Sequence, residues 1–321
     1  MTDEPEMPFE MPRTISAEAR AYFEAARPLA VRSAEAETID QTRRETREGF
    51  APASRAAQRQ LAKRVEEIEI SGVPVQEIVP AGYRPGSDDE ALLYLFGGGY
   101  IVGSPFEDLP ISASLAHHLG VRTYVPHYRL APEHPYPAAL DDASAVFRAL
   151  MDRVGPSRLA IAGESAGGNL ALATLLRARR EGRPLAAAAA LLSPWCDLSK
   201  TGNSTWAPEG FDPSLDYDKS LRAAATAFAG DLALQDPLVS PLYADYGADF
   251  PPTLITCGTR DLFLSDCARL SRRLRRAGVR TSLHLWEGLW HVFEFYPQLP
   301  EAPDSLAEIA AFLAENAFSA A

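Results

Sequence analysis

Several function classes are made improbable by what this sequence has little of. Cysteine is scarce: 321 residues contain three, Cys196, Cys257 and Cys267, widely spaced and in no C-x-x-C pair, which argues against both a disulfide framework and a zinc site. Long apolar runs are also missing, since none approaches the roughly 18 residues that a membrane span needs. The opening MTDEPEMPFEMPRTISAEARAYF has neither a basic n-region nor an apolar h-region. Positive charge is in deficit, with 31 Lys and Arg against 43 Asp and Glu and a formal net charge of -12. That balance opposes attraction to nucleic acid or to an anionic membrane surface. A soluble cytoplasmic protein acting on a small neutral molecule is therefore expected, with no nucleic acid or membrane partner.

What is present points to a large core, because 46% of the residues are hydrophobic. Ser16 is placed to cap a helix through SAEARAYFEAARPL, and a second Ala- and Arg-rich helical pattern runs toward Lys63. From Val65 the texture changes to short extended segments, VEEIEI and VQEIVP, followed by the apolar ALLYLF. Strands and helices then alternate through VRTYVP, PAALDDASAVFRALMDRV, RLAIAG, SAGGNLALATLLRARREG, LAAAAALLSP, PTLITCG, FLSDCARLSRRLRRAG and RTSLHLWEG. This alternation implies an α/β fold with a mostly parallel sheet and helices on both faces. Residues 200–241, rich in Pro, Gly, Trp and Asp, break the rhythm and read as an insertion over the sheet.

The strongest chemical signal is Gly163-Glu164-Ser165-Ala166-Gly167, a G-x-S-x-G motif directly after an apolar strand and at the start of a helix. Its glycines permit a sharp strand-to-helix turn that lifts a serine hydroxyl above the C-terminal edge of a sheet. A turn with a serine N-cap is the plainer alternative, but the flanking strand and helix favour Ser165 as a nucleophile. Such a hydroxyl needs a base, itself oriented by a carboxylate.

Where this motif is catalytic, the chain order is Ser, then Asp or Glu, then His. Of six histidines, His117, His118, His127 and His134 precede Ser165. His284 lies inside the alternating TSLHLWE, where packing is the simpler role, whereas His291 follows a Gly-containing loop beyond the last strand and is the better base. Asp261, between a strand and a helix in TLITCGTRDLFLSD, is the favoured acid. Its rival Asp266 falls within the helical pattern, where capping or a solvated face would explain it.

With these residues in hand, the chain resembles the hormone-sensitive-lipase-like (bacterial family IV) α/β-hydrolases. The resemblance rests on GGGYIVGSP, YRLAPEHPYPAALDD, GESAGGNLAL, LLSPWCDLS, DPLVSPLYAD, GTRDLFLSD and GLWHVF in that order. It implies an eight-stranded sheet under a helical cap, with 1–64 contributing N-terminal helices to the cap, 65–321 forming the catalytic domain, and 200–241 inserted as cap. It also implies a serine carboxylesterase that needs no cofactor, working on small to medium acyl esters through Ser165, Asp261 and His291. Gly98, Gly99 and Ala166 match the positions whose backbone N–H groups form the oxyanion hole. A lactone hydrolase with the same machinery, or a non-catalytic small-ligand binding protein, are the alternatives, and dimers are common among family members.

One departure stands out, because the family reads H-G-G-G where this chain reads Phe96-Gly97-Gly98-Gly99. The oxyanion donors are backbone groups, so replacing the His deletes none of them, but it removes a polar side chain that could anchor the loop. Either Phe96 packs at the end of a buried strand with neighbours holding the loop, or the loop relaxes and its donors miss. Tyr100, Trp195, Trp206, Phe211 and Trp290 are candidates to line an acyl pocket, though taken singly each suits ordinary core better. Glu133, His134 and Asp141 in the Pro-rich YRLAPE segment read as structural, and the Arg-rich RLSRRLRRAGVR as a solvated helix face with Leu270 and Leu274 inward.

Overall fold

Each segment that reads as extended in the sequence is a strand in the computed structural model, which describes residues 12–25, 36–84 and 86–318. The strands are β1 (Ala62–Ile70), β2 (Val73–Pro80), β3 (Ala91–Leu95), β4 (Arg122–Pro126), β5 (Leu159–Glu164), β6 (Ala188–Leu192), β7 (Thr253–Gly258) and β8 (Thr281–Trp286). They form one eight-stranded sheet in the order β1-β2-β4-β3-β5-β6-β7-β8. Its β1/β2 and β2/β4 pairs are antiparallel and the rest parallel. The central β3, β5, β6 and β7 are wholly buried, which is why they read as near-continuous apolar runs rich in Ala, Leu and Ile. Outermost β1 and β8 contain no fully buried residue.

The helices are α1 (Ala17–Ala25), α2 (Ala36–Leu61), α3 (Leu109–Leu119), α4 (Ala138–Val154), α5 (Ala166–Arg180), α6 (Arg222–Ala229), α7 (Leu264–Arg276) and α8 (Glu301–Ala317). The right-handed crossover rule distributes them. The β3-to-β4 step runs one way across the sheet and the β4-to-β5, β5-to-β6 and β7-to-β8 steps the other. So α3 lies on one face, with α8 packed against it, and α4, α5 and α7 lie on the opposite one. Strand order reverses where β3 meets β5, with Leu95 opposite Gly163. Such a switch point leaves a crevice at the C-terminal strand ends.

Ser16 caps α1 as expected, its hydroxyl accepting the Ala19 N–H at 3.0 Å and donating to Glu301 at the start of α8. The second helical pattern ends sooner than Lys63: α2 stops at Leu61 and passes directly into β1. Within the insertion, α6 is preceded by a single π-turn at Tyr217–Leu221. The C-terminal α8 went unread in the sequence, although EAPDSLAEIAAFLAENA carries the helical apolar spacing, with Leu306, Ile309, Ala310 and Leu313 buried.

Candidate active site

The turn from β5 to α5 is built by backbone crowding. Ser165 sits at φ 54° and ψ -121°, a conformation that residues with a Cβ seldom adopt and that active sites use to present a side chain. A Cβ on Gly163 would lie 2.5 Å from the Gly167 carbonyl oxygen, and one on Gly167 only 1.9 Å from that of Leu95. Both motif glycines are therefore required by contact. The Ser165 N–H donates to Leu192 O at 2.9 Å, while its carbonyl accepts from Asn169 and Trp195. These bonds fix the turn from β6 and from α5.

Asp261 follows β7 and is fully buried, with its Oδ1 accepting the Phe263 N–H at 2.8 Å. His291 comes from the loop after β8, and its Nδ1 lies 3.1 Å from Asp261 Oδ2 and 3.3 Å from Oδ1. Gly258 lets the two loops close, since a Cβ there would stand 2.1 Å from Leu289 O. Burial works to lower the His291 pKa, but the charge of Asp261 and its hydrogen bond, followed by Asp212 and Glu164, leave it above the ordinary 6.5. Ser165 and His291 face one cavity. Among the described residues no hydrogen bond joins their side chains.

The glycine loop after β3 has several anchors in place of a histidine. Phe96 is buried, its ring stacked on Tyr128 at 4.1 Å, and the Tyr128 hydroxyl donates to Phe96 O at 2.7 Å. The Gly97 N–H donates to the Glu164 carboxylate, so the residue just before Ser165 grips the loop. Gly98 has φ 96°, and its carbonyl accepts the N–H groups of Ile101 and Val102, closing the turn. Tyr100 then donates to Asn169 Oδ1 at 2.7 Å, and Arg43 of α2 donates to Ile101 O at 2.9 Å. Gly98 and Gly99 line the cavity beside Ser165, whereas Ala166 does not line it and begins α5.

Glu164 is itself unusual because its carboxyl meets that of buried Asp108. Burial pushes Glu164 up to about 7, and burial followed by the neighbouring Glu164 pushes Asp108 well above the usual carboxylate range. Two touching carboxyls cannot both ionise cheaply, so the pair holds a proton near neutral pH.

The cavity has a volume of about 160 Å³. Its walls come from Thr46 and Phe50 of α2, the glycine loop, Leu215 and Leu221 of the insertion, and Val292, Phe295 and Tyr296 beyond His291. The five aromatic candidates for this lining, Tyr100, Trp195, Trp206, Phe211 and Trp290, are not among its lining residues. Tyr100 is stacked on Phe228, Trp195 on Phe263 and Trp290 on Tyr22, so core packing takes their faces. Trp206 is 69% exposed beneath the Lys200 ammonium, and Phe211 lies under the Arg260 guanidinium. The aromatics that do line the cavity are Phe50, Phe295 and Tyr296. Thr46 and Phe50 are four apart on a helix and so share a face, but nothing in the sequence says that this face looks inward.

Other expectations meet mixed outcomes. His284 is held by a 2.7 Å contact to Glu308 of α8 at a partly exposed position, not by core packing. Asp266 is fully buried, not solvated, 3.4 Å from Arg269. Glu133 pairs with Arg43 and Asp141 with Arg177, in keeping with a structural role. Leu270 and Leu274 of the Arg-rich helix face the core. Asp212, unremarked in the sequence, is buried within hydrogen-bond range of the His291 backbone N–H at 3.2 Å. The signal for it was an Asp two residues before Ser214 in a Pro- and Gly-rich stretch, an Asx-turn pattern.

Comparison with known proteins agrees with this geometry. A family described as alpha/beta hydrolase fold matches residues 92–295. An acetyl-hydrolase of Streptomyces hygroscopicus is 36% identical over 251 residues, covering 75% of this chain and 83% of its own. An esterase of Acinetobacter venetianus is 31% identical, covering 77% and 81%. Among solved structures, esterase E25 superposes with a TM-score of 0.90 at 30% identity over 97% of both chains. An esterase from the bacterial hormone-sensitive lipase family gives 0.81 at 34% identity, over 95% of this chain and 99% of that one. No helix among the described residues is long and apolar enough to cross a membrane.

Proposed function

The chain belongs to the hormone-sensitive-lipase-like branch of the α/β-hydrolase fold family and is a carboxylester hydrolase, and on that premise we propose that Ser165, His291 and Asp261 are its catalytic triad. Ser165 Oγ attacks the ester carbonyl while His291 takes its proton as general base. The imidazolium so formed is stabilised by Asp261, which also fixes the ring tautomer. His291 then returns the proton to the departing alkoxide as the C–O bond breaks, leaving an acyl-enzyme and a free alcohol. Water, deprotonated by the same imidazole, hydrolyses the acyl-enzyme and restores Ser165.

The N–H groups of Gly98, Gly99 and Ala166 are proposed to hold the tetrahedral oxyanion, each such donor being worth about 3 kcal/mol of barrier. The observation that carries this reading is the His291–Asp261 pair at 3.1 Å opening onto the cavity that Ser165 lines. An apolar cavity of about 150 Å³ accepts a benzene-sized group, so the favoured acyl groups are short and uncharged. The cap is proposed to combine the helices before β1 with the 200–241 insertion, a division supported by the shared lining from Phe50 and Leu215.

The test is hydrolysis of a chromogenic short-acyl ester by the wild type beside Ser165→Ala. The variant is expected to lose about four orders of magnitude or more in kcat while remaining folded. Equal residual rates in the two proteins would overturn the assignment.

A further inference from the structure

Asp212 belongs to the insertion, yet its two carboxylate oxygens serve different parts of the molecule. Oδ1 accepts the N–H and hydroxyl of Ser214, at 2.8 and 2.7 Å, and the Leu215 N–H at 3.2 Å. That completes the local turn, whose Ser214 and Leu215 line the cavity. Oδ2 reaches outside the insertion, accepting the backbone N–H of His291 at 3.2 Å and, more distantly, that of Leu262 at 3.4 Å. Those residues sit in the loop that carries His291 and in the one that carries Asp261. A single side chain, 1% exposed, thereby ties cavity wall, base loop and acid loop together.

We propose that Asp212 is a positioning residue for the hydrolysis, holding the insertion and the His291 loop as one unit through its Oδ2. The proposal rests on the reading of His291 as general base. Asp212 also adds a second negative charge beside the imidazole. Around Asp212 the charged and titratable groups are Asp261 and His291 from the two loops, Tyr22 from α1 and Tyr296 beyond His291, with Arg260 over the ring of neighbouring Phe211. Around His291 they are Asp261, Asp212 and Glu164, with Glu294 from the following turn. Burial, and then Asp261, push Asp212 up to about 6. It is thus ionised at pH 7, where it favours the protonated ring that forms during attack.

Asp212→Asn keeps one oxygen for the Ser214 turn and withdraws the charge, turning an amide NH2, a donor that cannot accept, toward two N–H groups. The expected result is a fall in kcat of about tenfold or more from displaced groups, with KM for a short ester changed less. The acid limb of kcat/KM should move to lower pH, because a negative charge that raises the His291 pKa has gone. NMR titration of the His291 ring reads the same shift without turnover, and so separates failure of this proposal from failure of the esterase mechanism. A folded Asp212→Asn protein with an unmoved His291 titration would overturn it, even if thermal stability fell. Should that variant not fold, Asp212→Glu keeps the charge but displaces the oxygen. It is expected to retain the His291 titration with lowered kcat, and full kcat in that variant would equally overturn the proposal.

Discussion

The floor of the cavity and its roof are made by different means. The floor, the glycine loop and the Ser165 turn, comes from two short segments at adjacent strand ends, held by carbonyls so close that a Cβ would collide. The roof comes from α2 and from the insertion, segments far apart in the chain that side chains fix to the rest of the molecule: Arg43 to Ile101, Phe50 against Phe295, and Asp212 to the His291 loop. Reaction chemistry is written into contiguous motifs because it depends on backbone placement to a fraction of an ångström. The size of the cavity rests instead on contacts distributed over the fold.

If that contrast is right, substitutions in the floor should be all-or-none and those in the roof graded. The largest effect is expected from Gly167→Ala, whose Cβ would stand 1.9 Å from Leu95 O. A cost above about 4 kcal/mol is expected, seen as loss of folded protein. A Tm within about 2 °C of wild type would show that the floor can yield. Next comes Phe50→Ala, which enlarges the cavity beside Phe295. The ratio of kcat/KM for a longer acyl ester to that for acetate is expected to rise about tenfold, the scale of one methylene in a hydrophobic pocket. An unchanged ratio would mean that acyl length is read elsewhere. The smallest change is expected at Phe96→His, because the Tyr128 and Glu164 contacts to the loop backbone do not involve the replaced side chain. Turnover should stay within about tenfold, or 1.4 kcal/mol, and a large gain would show that the loop of the wild type is poorly held.

Legibility in the sequence followed the same division. All eight strands and the loops carrying Ser165, Asp261 and His291 were readable, because local apolar runs and turn residues encode them. The meeting of Asp261 with His291 was legible only as chain order. The cavity lining was not legible, because aromatic size says nothing about which ring finds a packing partner, and Trp290 and Tyr100 found theirs in Tyr22 and Phe228. Asp212 was hidden for a related reason: its turn is local, but its second oxygen acts across 79 residues of sequence on His291. The anchors of the Phe96 loop were equally distant, in Tyr128 and Glu164.

One feature of the chain path joins the cavity wall to the far edge of the sheet. Since α2 runs into β1 with no intervening loop, the helix bearing Thr46 and Phe50 is tied at its C-terminal end to the outermost hairpin. A shift of β1 against β2 is expected to carry the end of that helix with it and so reach the cavity wall without touching any residue that lines it. Changes in the β1–β2 register are thus expected to alter the width of the cavity from a distance, without replacing any residue beside Ser165.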